Sequence, residues 1–61
     1  MEPQWFDTPD QMYQAVLKIY NDPETKYHNG FTGGTYADGT VQWTLHATDG
    51  ENKVFRSRHA A

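Results

Sequence analysis

The chain contains no cysteine, so neither a disulfide staple nor a thiolate site is available to it. Ser57 is the only serine and has no glycine elbow around it, which leaves serine nucleophilic catalysis without a setting. No apolar run approaches the roughly 20 residues that a membrane helix needs. The first residues lack a basic stretch followed by an apolar one, so no signal peptide is expected. These absences suit a cytoplasmic, intracellular protein with no membrane partner. Positive charge is also scarce: five Lys and Arg stand against eight Asp and Glu, a net charge of −3. Nucleic-acid affinity comes largely from neutralising phosphates, so the balance argues against nucleic acid as the main partner.

What is present fits one small domain. A chain of 61 residues buries only about 60% of the surface its unfolded form exposes. Its charge is polarised. Residues 1–24 carry Glu2, Asp7, Asp10, Asp22 and Glu24 against Lys18, whereas residues 25–61 carry Asp38, Asp49 and Glu51 against Lys26, Lys53, Arg56 and Arg58.

Residues 1–8 read as an extended arm, because Pro3 excludes a helix interior and Trp5 and Phe6 favour lying against the body. Thr8-Pro9-Asp10-Gln11 then supplies a hydroxyl N-cap, proline at the first helical position, an acid in the first turn and Gln at the third. Met12, Tyr13, Val16, Leu17, Ile19 and Tyr20 fill a sector of about 160° at about 100° per residue. Asn21-Asp22-Pro23 ends the pattern, so the spacing predicts a helix over 9–21. Residues 22–30 are a polar connection, with Tyr27 available to fold back as an anchor.

From residue 31 the period changes to two. Asp38-Gly39 between alternating runs signals a hairpin. A two-residue turn would set Tyr36 opposite Val41, Gly34 opposite Trp43 and Thr32 opposite Leu45. Trp43 would then cover the bare backbone of Gly34. Val41, Trp43, Leu45 and Ala47 share one face; Gln42, Thr44, His46 and Thr48 share the other. A second turn follows at 48–51. A three-residue loop at 48–50 with Gly50 left-handed would put Phe55 on the Trp43 face, flanked by Lys53 and Ser57, with Val54, Arg56 and Arg58 pointing away. A one-residue slip reverses this, and the larger apolar bulk of Phe55 favours it inward. The tail at 59–61 is expected to fray. The expected fold is α+β, with one N-terminal amphipathic helix packed on a three-stranded antiparallel meander over 31–58. Its expected core is Trp5 or Phe6, Met12, Val16, Leu17, Tyr20, Val41, Trp43, Leu45 and Phe55. Thr35, Gln42, Thr44 and His46, with Phe31 or Val54 nearby, form the opposite sheet face.

Catalytic constellations are missing. His28, His46 and His59 do not have ligand spacing, so neither a metal nor a cofactor is expected. His46 with Glu51, or His28 with Glu24, makes an acid–base pair only on paper, because so small a fold offers little cleft. Gly33-Gly34 has no following lysine and no helix N-terminus behind it, so close packing rather than phosphate binding explains it. Asp49-Gly50-Glu51-Asn52 is turn chemistry, not a calcium loop.

The chain therefore reads as a non-enzymatic module that binds a larger protein. Candidate contacts are the acidic set Asp7, Asp10, Asp22 and Glu24, which could align with Asp38; Tyr36, because tyrosine is over-represented at binding hot spots; the outward His46, suited to a pH-sensitive contact; and the basic set Lys53, Arg56 and Arg58, with His59 beside it. The basic set has other readings: a charge-protected edge strand, or a strip for single-stranded nucleic acid. Self-assembly through a sheet edge at 31–36 or 53–58 is a further alternative. No motif assigns the chain to a family. In kind it is similar to small phage-encoded inhibitors of host proteins, anti-CRISPR proteins among them, which are short, cysteine-free, acidic and without a catalytic set.

Overall fold

The computed structural model describes residues 2–58; the tail at 59–61, with His59, lies outside them. The elements run β1 (Gln4–Phe6), α1 (Pro9–Tyr20), β2 (Phe31–Thr35), β3 (Val41–Leu45) and β4 (Lys53–Ser57). The class is α+β, but the sheet has four strands in the order β1-β4-β3-β2 and is mixed rather than a three-stranded antiparallel meander. The arm forms the extra strand. β1 pairs parallel to β4, with Gln4 opposite Phe55, Trp5 opposite Arg56 and Phe6 opposite Ser57. Three residues that pair with the far end of the chain carry no local turn signal, which is why this strand escapes a reading by periodicity. Because β1 covers it, β4 is an inner strand, and 53–58 is not a sheet edge.

The helix begins as its residues require. Thr8 is extended (φ −134°, ψ 153°) and its side chain accepts from the Gln11 N–H. Pro9 follows at the first turn and Asp10 sits near the positive end of the helix dipole. The helix stops at Tyr20, with Asn21 as its C-cap, one residue earlier than the spacing predicts.

The β2–β3 hairpin closes with three residues, Ala37-Asp38-Gly39, not two. Gly39 N–H donates to Tyr36 O at 2.9 Å, and Tyr36 N–H donates to Thr40 O at 2.8 Å. Gly39 takes the left-handed conformation that completes this loop (φ 88°). The added residue shifts the register by one, so Gly33, not Gly34, faces Trp43, and Phe31 faces Leu45. Phe31 therefore joins the helix side, where its ring lies 5.1 Å from those of both Tyr20 and Trp43. Val54, one step from Phe55, is left on the opposite face. The β3–β4 turn follows the expected form: Gly50 is left-handed (φ 85°) and Phe55 faces Trp43.

Met12, Val16, Leu45 and Phe55 are the buried centre, with Phe6, Ile19, Tyr20, Tyr27, Phe31, Val41 and Trp43 packed around them. Ala47 and Ser57 are buried as well. Of the Trp5–Phe6 pair, Phe6 is the core member, its ring 5.7 Å from Phe55 in an edge contact; Leu17 is only half-buried, outside the central cluster. Tyr27 does fold back, with Lys26 and Lys53 over its ring at 5.9 and 5.7 Å. Lys26 also donates to Asp49 at 2.9 Å, which ties the polar connection to the β3–β4 turn.

The shifted register separates two adjacent glycines. A Cβ on Gly33 would lie 2.6 Å from Trp43 Cδ2, whereas one on Gly34 would meet nothing within 4 Å. Gly33→Ala is therefore expected to destabilise by about 1–3 kcal/mol through overpacking. Gly34→Ala should be neutral or stabilise by up to about 1 kcal/mol, by restricting the unfolded chain. Urea unfolding of the two variants checks this, and a two-residue turn would reverse their order.

Candidate functional site

One helix covers one face of the sheet. Alternation along the strands assigns the other face to Trp5 of β1, Val54 and Arg56 of β4, Gln42 and Thr44 of β3, and Thr32 and Gly34 of β2. Tyr36 and His46 continue it just beyond their strands. No strand contains a carboxylate. The eight acids therefore lie in the helix, in the connecting segments or, for Glu2, ahead of β1, and Asp38, in the β2–β3 turn, lies 4.0 Å from Arg56.

Arg56 is the centre of this face. Its guanidinium carbon lies 4.5 Å from the Tyr36 ring centroid and 5.2 Å from that of Trp5. Cation–π attraction of this kind contributes about 0.5–2 kcal/mol, more as water is excluded. The planar, weakly hydrated guanidinium can lie against aromatic rings while its N–H groups still hydrogen-bond. Nη2 donates to Thr40 Oγ1 at 2.7 Å, and that hydroxyl donates to Asp38 Oδ1 at 2.6 Å. Asp38 Oδ2 is 4.0 Å from Nη2, so the hydroxyl, not the carboxylate, is the main partner. Arg56 Nε is buried and finds no acceptor among the described residues. The side chain is thus fixed by stacking on two aromatic rings whose residues remain 51% (Trp5) and 46% (Tyr36) exposed.

Beside this cluster lies an open depression of about 210 Å³, lined by Thr32, Gly33, Gly34, Tyr36, Gln42 and Thr44. Gly34 leaves its floor bare. At its far end Thr32 Oγ1 and His46 Nε2 share a hydrogen bond of 3.0 Å. The depression offers hydroxyl, amide and aromatic surface; its one hydroxyl–imidazole contact, Thr32 with His46, has no third side chain bonded to the ring among the described residues.

The candidates from the sequence separate. Tyr36, His46 and Arg56 share the open face, and the exposed Arg58 follows at its end with its N–H bonded to Phe6 O. Lys53 points to the helix side, over Tyr27. Asp7 and Asp10 lie at the start of α1 and Asp22 and Glu24 beyond its end, about 18 Å apart for a 12-residue helix, so they form two separate pairs. The reading of Lys53, Arg56 and Arg58 as a charge-protected edge fails because β4 is flanked on both sides. Trp5 was missed as a surface residue. The signal was available: Trp5 and Phe6 are neighbours, and neighbours on a strand face opposite ways.

Among the described residues, no three His, Asp or Glu side chains cluster closely enough to hold a metal ion, and no helix is long and apolar enough to cross a membrane. No protein-family model, curated protein or solved structure matches the chain.

The Asp38 carboxyl is held below its ordinary value, first by the Thr40 hydroxyl and N–H and then by the charge of Arg56. Its contribution to stability is complete above the ordinary carboxylate range and is lost as pH falls through the lowered value. Carbon NMR of the Asp38 carboxyl should show a midpoint below that of an unperturbed aspartate. In Thr40→Val the midpoint should move back upward; an unchanged midpoint would refute the assigned cause.

Proposed function

We propose that the protein is a non-enzymatic binding module that docks on a larger protein through the uncovered sheet face. The observation that carries this reading is the Trp5–Arg56–Tyr36 stack. Tryptophan, arginine and tyrosine are the residues most enriched among those that dominate binding energies. Here they occur together, exposed, on the face that the helix leaves free. Stacking holds the two rings in place before any partner arrives, which reduces the ordering cost of association. The sharper version, an inhibitor that occupies a partner's surface as phage-encoded anti-CRISPR proteins do, rests on small size and acidity.

A second reading draws on a different observation. The strands are free of carboxylates, and the face carries Arg56, Arg58 and His46 between exposed aromatics, the elements of a single-stranded nucleic-acid platform.

The Trp5→Ala/Tyr36→Ala double variant tests the first reading, because both rings are exposed and the fold should survive, as circular dichroism will show. Tagged wild-type protein is expected to retain one protein from nuclease-treated lysate of the encoding organism or its host. Retention by the variant should fall by roughly thirtyfold or more, the equivalent of about 2 kcal/mol for a single dominant contact. Equal retention by the variant would remove the face from the proposal. Retention of a single-stranded oligonucleotide at low salt, lost in the same variant, would favour the second reading.

A further inference from the structure

β2 is an edge strand whose outer side is unoccupied. Its hydrogen-bonding phase is set by two bonds beyond its ends: Tyr36 N–H to Thr40 O at 2.8 Å and His46 N–H to Gly30 O at 2.9 Å. In an antiparallel ladder, bonded pairs alternate with unbonded ones. Gly30, Thr32, Gly34 and Tyr36 therefore turn their backbone groups toward β3. Phe31, Gly33 and Thr35 turn theirs outward, where no described backbone group meets them.

Natural edges are usually shielded by lysine, proline, a bulge or short length. The other edge has such shielding: β1 is three residues long and preceded by Glu2 and Pro3. β2, Phe-Thr-Gly-Gly-Thr, has no charge and no proline.

We propose that the β2 edge pairs antiparallel with the β2 edge of a second copy, about a two-fold axis midway between the two Gly33 residues. The edge is self-complementary in that register. Phe31 faces Thr35 of the other copy, Gly33 faces its own counterpart, and every outward N–H and C=O finds a mate. The seam is uncharged, so the net charge of −3 on each copy is kept away from the contact. On the helix side, the half-buried Phe31 gains cover from Thr35 of the second copy. On the open side, Thr32 comes beside Gly34 of the second copy. Gly34 has ordinary backbone geometry and open space where a Cβ would stand, so the monomer does not require a glycine there. A glycine inside a strand often marks close approach of another backbone. The two-fold is perpendicular to the sheet, so both helices stay on one side and the two open faces join.

One strand pair is a small interface, so association should be concentration-dependent. Sedimentation equilibrium of the wild-type protein is expected to show the mass rising from one copy toward two as concentration approaches about 1 mM. Thr35→Pro removes an outward N–H without touching the β2–β3 ladder and should stay at one copy with unchanged circular dichroism. Thr35→Lys places a charge on the edge, should act likewise, and serves if the proline variant does not fold. Amide exchange should slow with concentration at Phe31, Gly33 and Thr35 but not at β1. A wild-type protein that remains at one copy to that concentration overturns the proposal, even if the edge accepts an unrelated extended peptide. So does self-association that both folded variants retain.

Discussion

The indole of Trp43 lies on the bare backbone of Gly33, and the arrangement of both sheet faces depends on that contact. Gly33 and Trp43 are directly opposed in an unbonded pair, the closer of the two antiparallel spacings. A tryptophan can lie flat on its neighbour strand only where that neighbour has no side chain. Once the contact is made, the period of two does the rest. Phe31 turns toward Tyr20 and the helix, Tyr13 meets the indole from above at 5.6 Å, and Thr32, Gly34 and Tyr36 are left on the far side. Moving the register by one residue would expose Phe31 and bury Tyr36, and Arg56 would lose one of its two rings.

Much of this was legible in the chain. Thr8-Pro9 fixed the helix start, because a hydroxyl acceptor followed by a residue without an N–H has few other uses. Asn21-Asp22-Pro23 fixed its end to within a residue. The alternation Val41, Trp43, Leu45, Ala47 identified the buried face of β3. The register of the last strand was open to a one-residue slip, and the apolar bulk of Phe55 favoured the one that forms. The hairpin loop was not settled by Asp38-Gly39, since a glycine that accepts positive φ suits both a two-residue loop and a three-residue loop ending in a left-handed residue. The loop that forms lets the Asp38 carboxylate accept from both the N–H and the hydroxyl of Thr40.

The candidate site was legible as residue types but not as a grouping. Arg56 and His46 could be named from their outward positions, but the expected two-residue turn set Tyr36 opposite Val41 on the helix side, and only the three-residue loop brings it to the open face. Their connection through Trp5 could not, because it depends on a parallel pairing between the two ends of the chain, and such pairings leave no spacing in the sequence. Lys53 and Arg56 look like one basic strip in one dimension. They fall on opposite sides of the sheet, one over Tyr27 and the other between two rings. Charge that seems clustered by counting is thereby divided between scaffold and surface.

The parallel pairing of β1 with β4 has a consequence in time. Gln4 must find Phe55, nearly the whole chain away, and contacts of that separation form late because loop closure precedes their reward. During synthesis the helix and the β2–β3 hairpin can form while β4 is still unmade. Trp5 cannot reach Arg56 until the last strand has emerged. The open face therefore comes into being only when the fold is finished, and a nascent or partly unfolded chain presents no stacked guanidinium to a partner. Recognition through this face would be, by construction, a check that the sheet has closed.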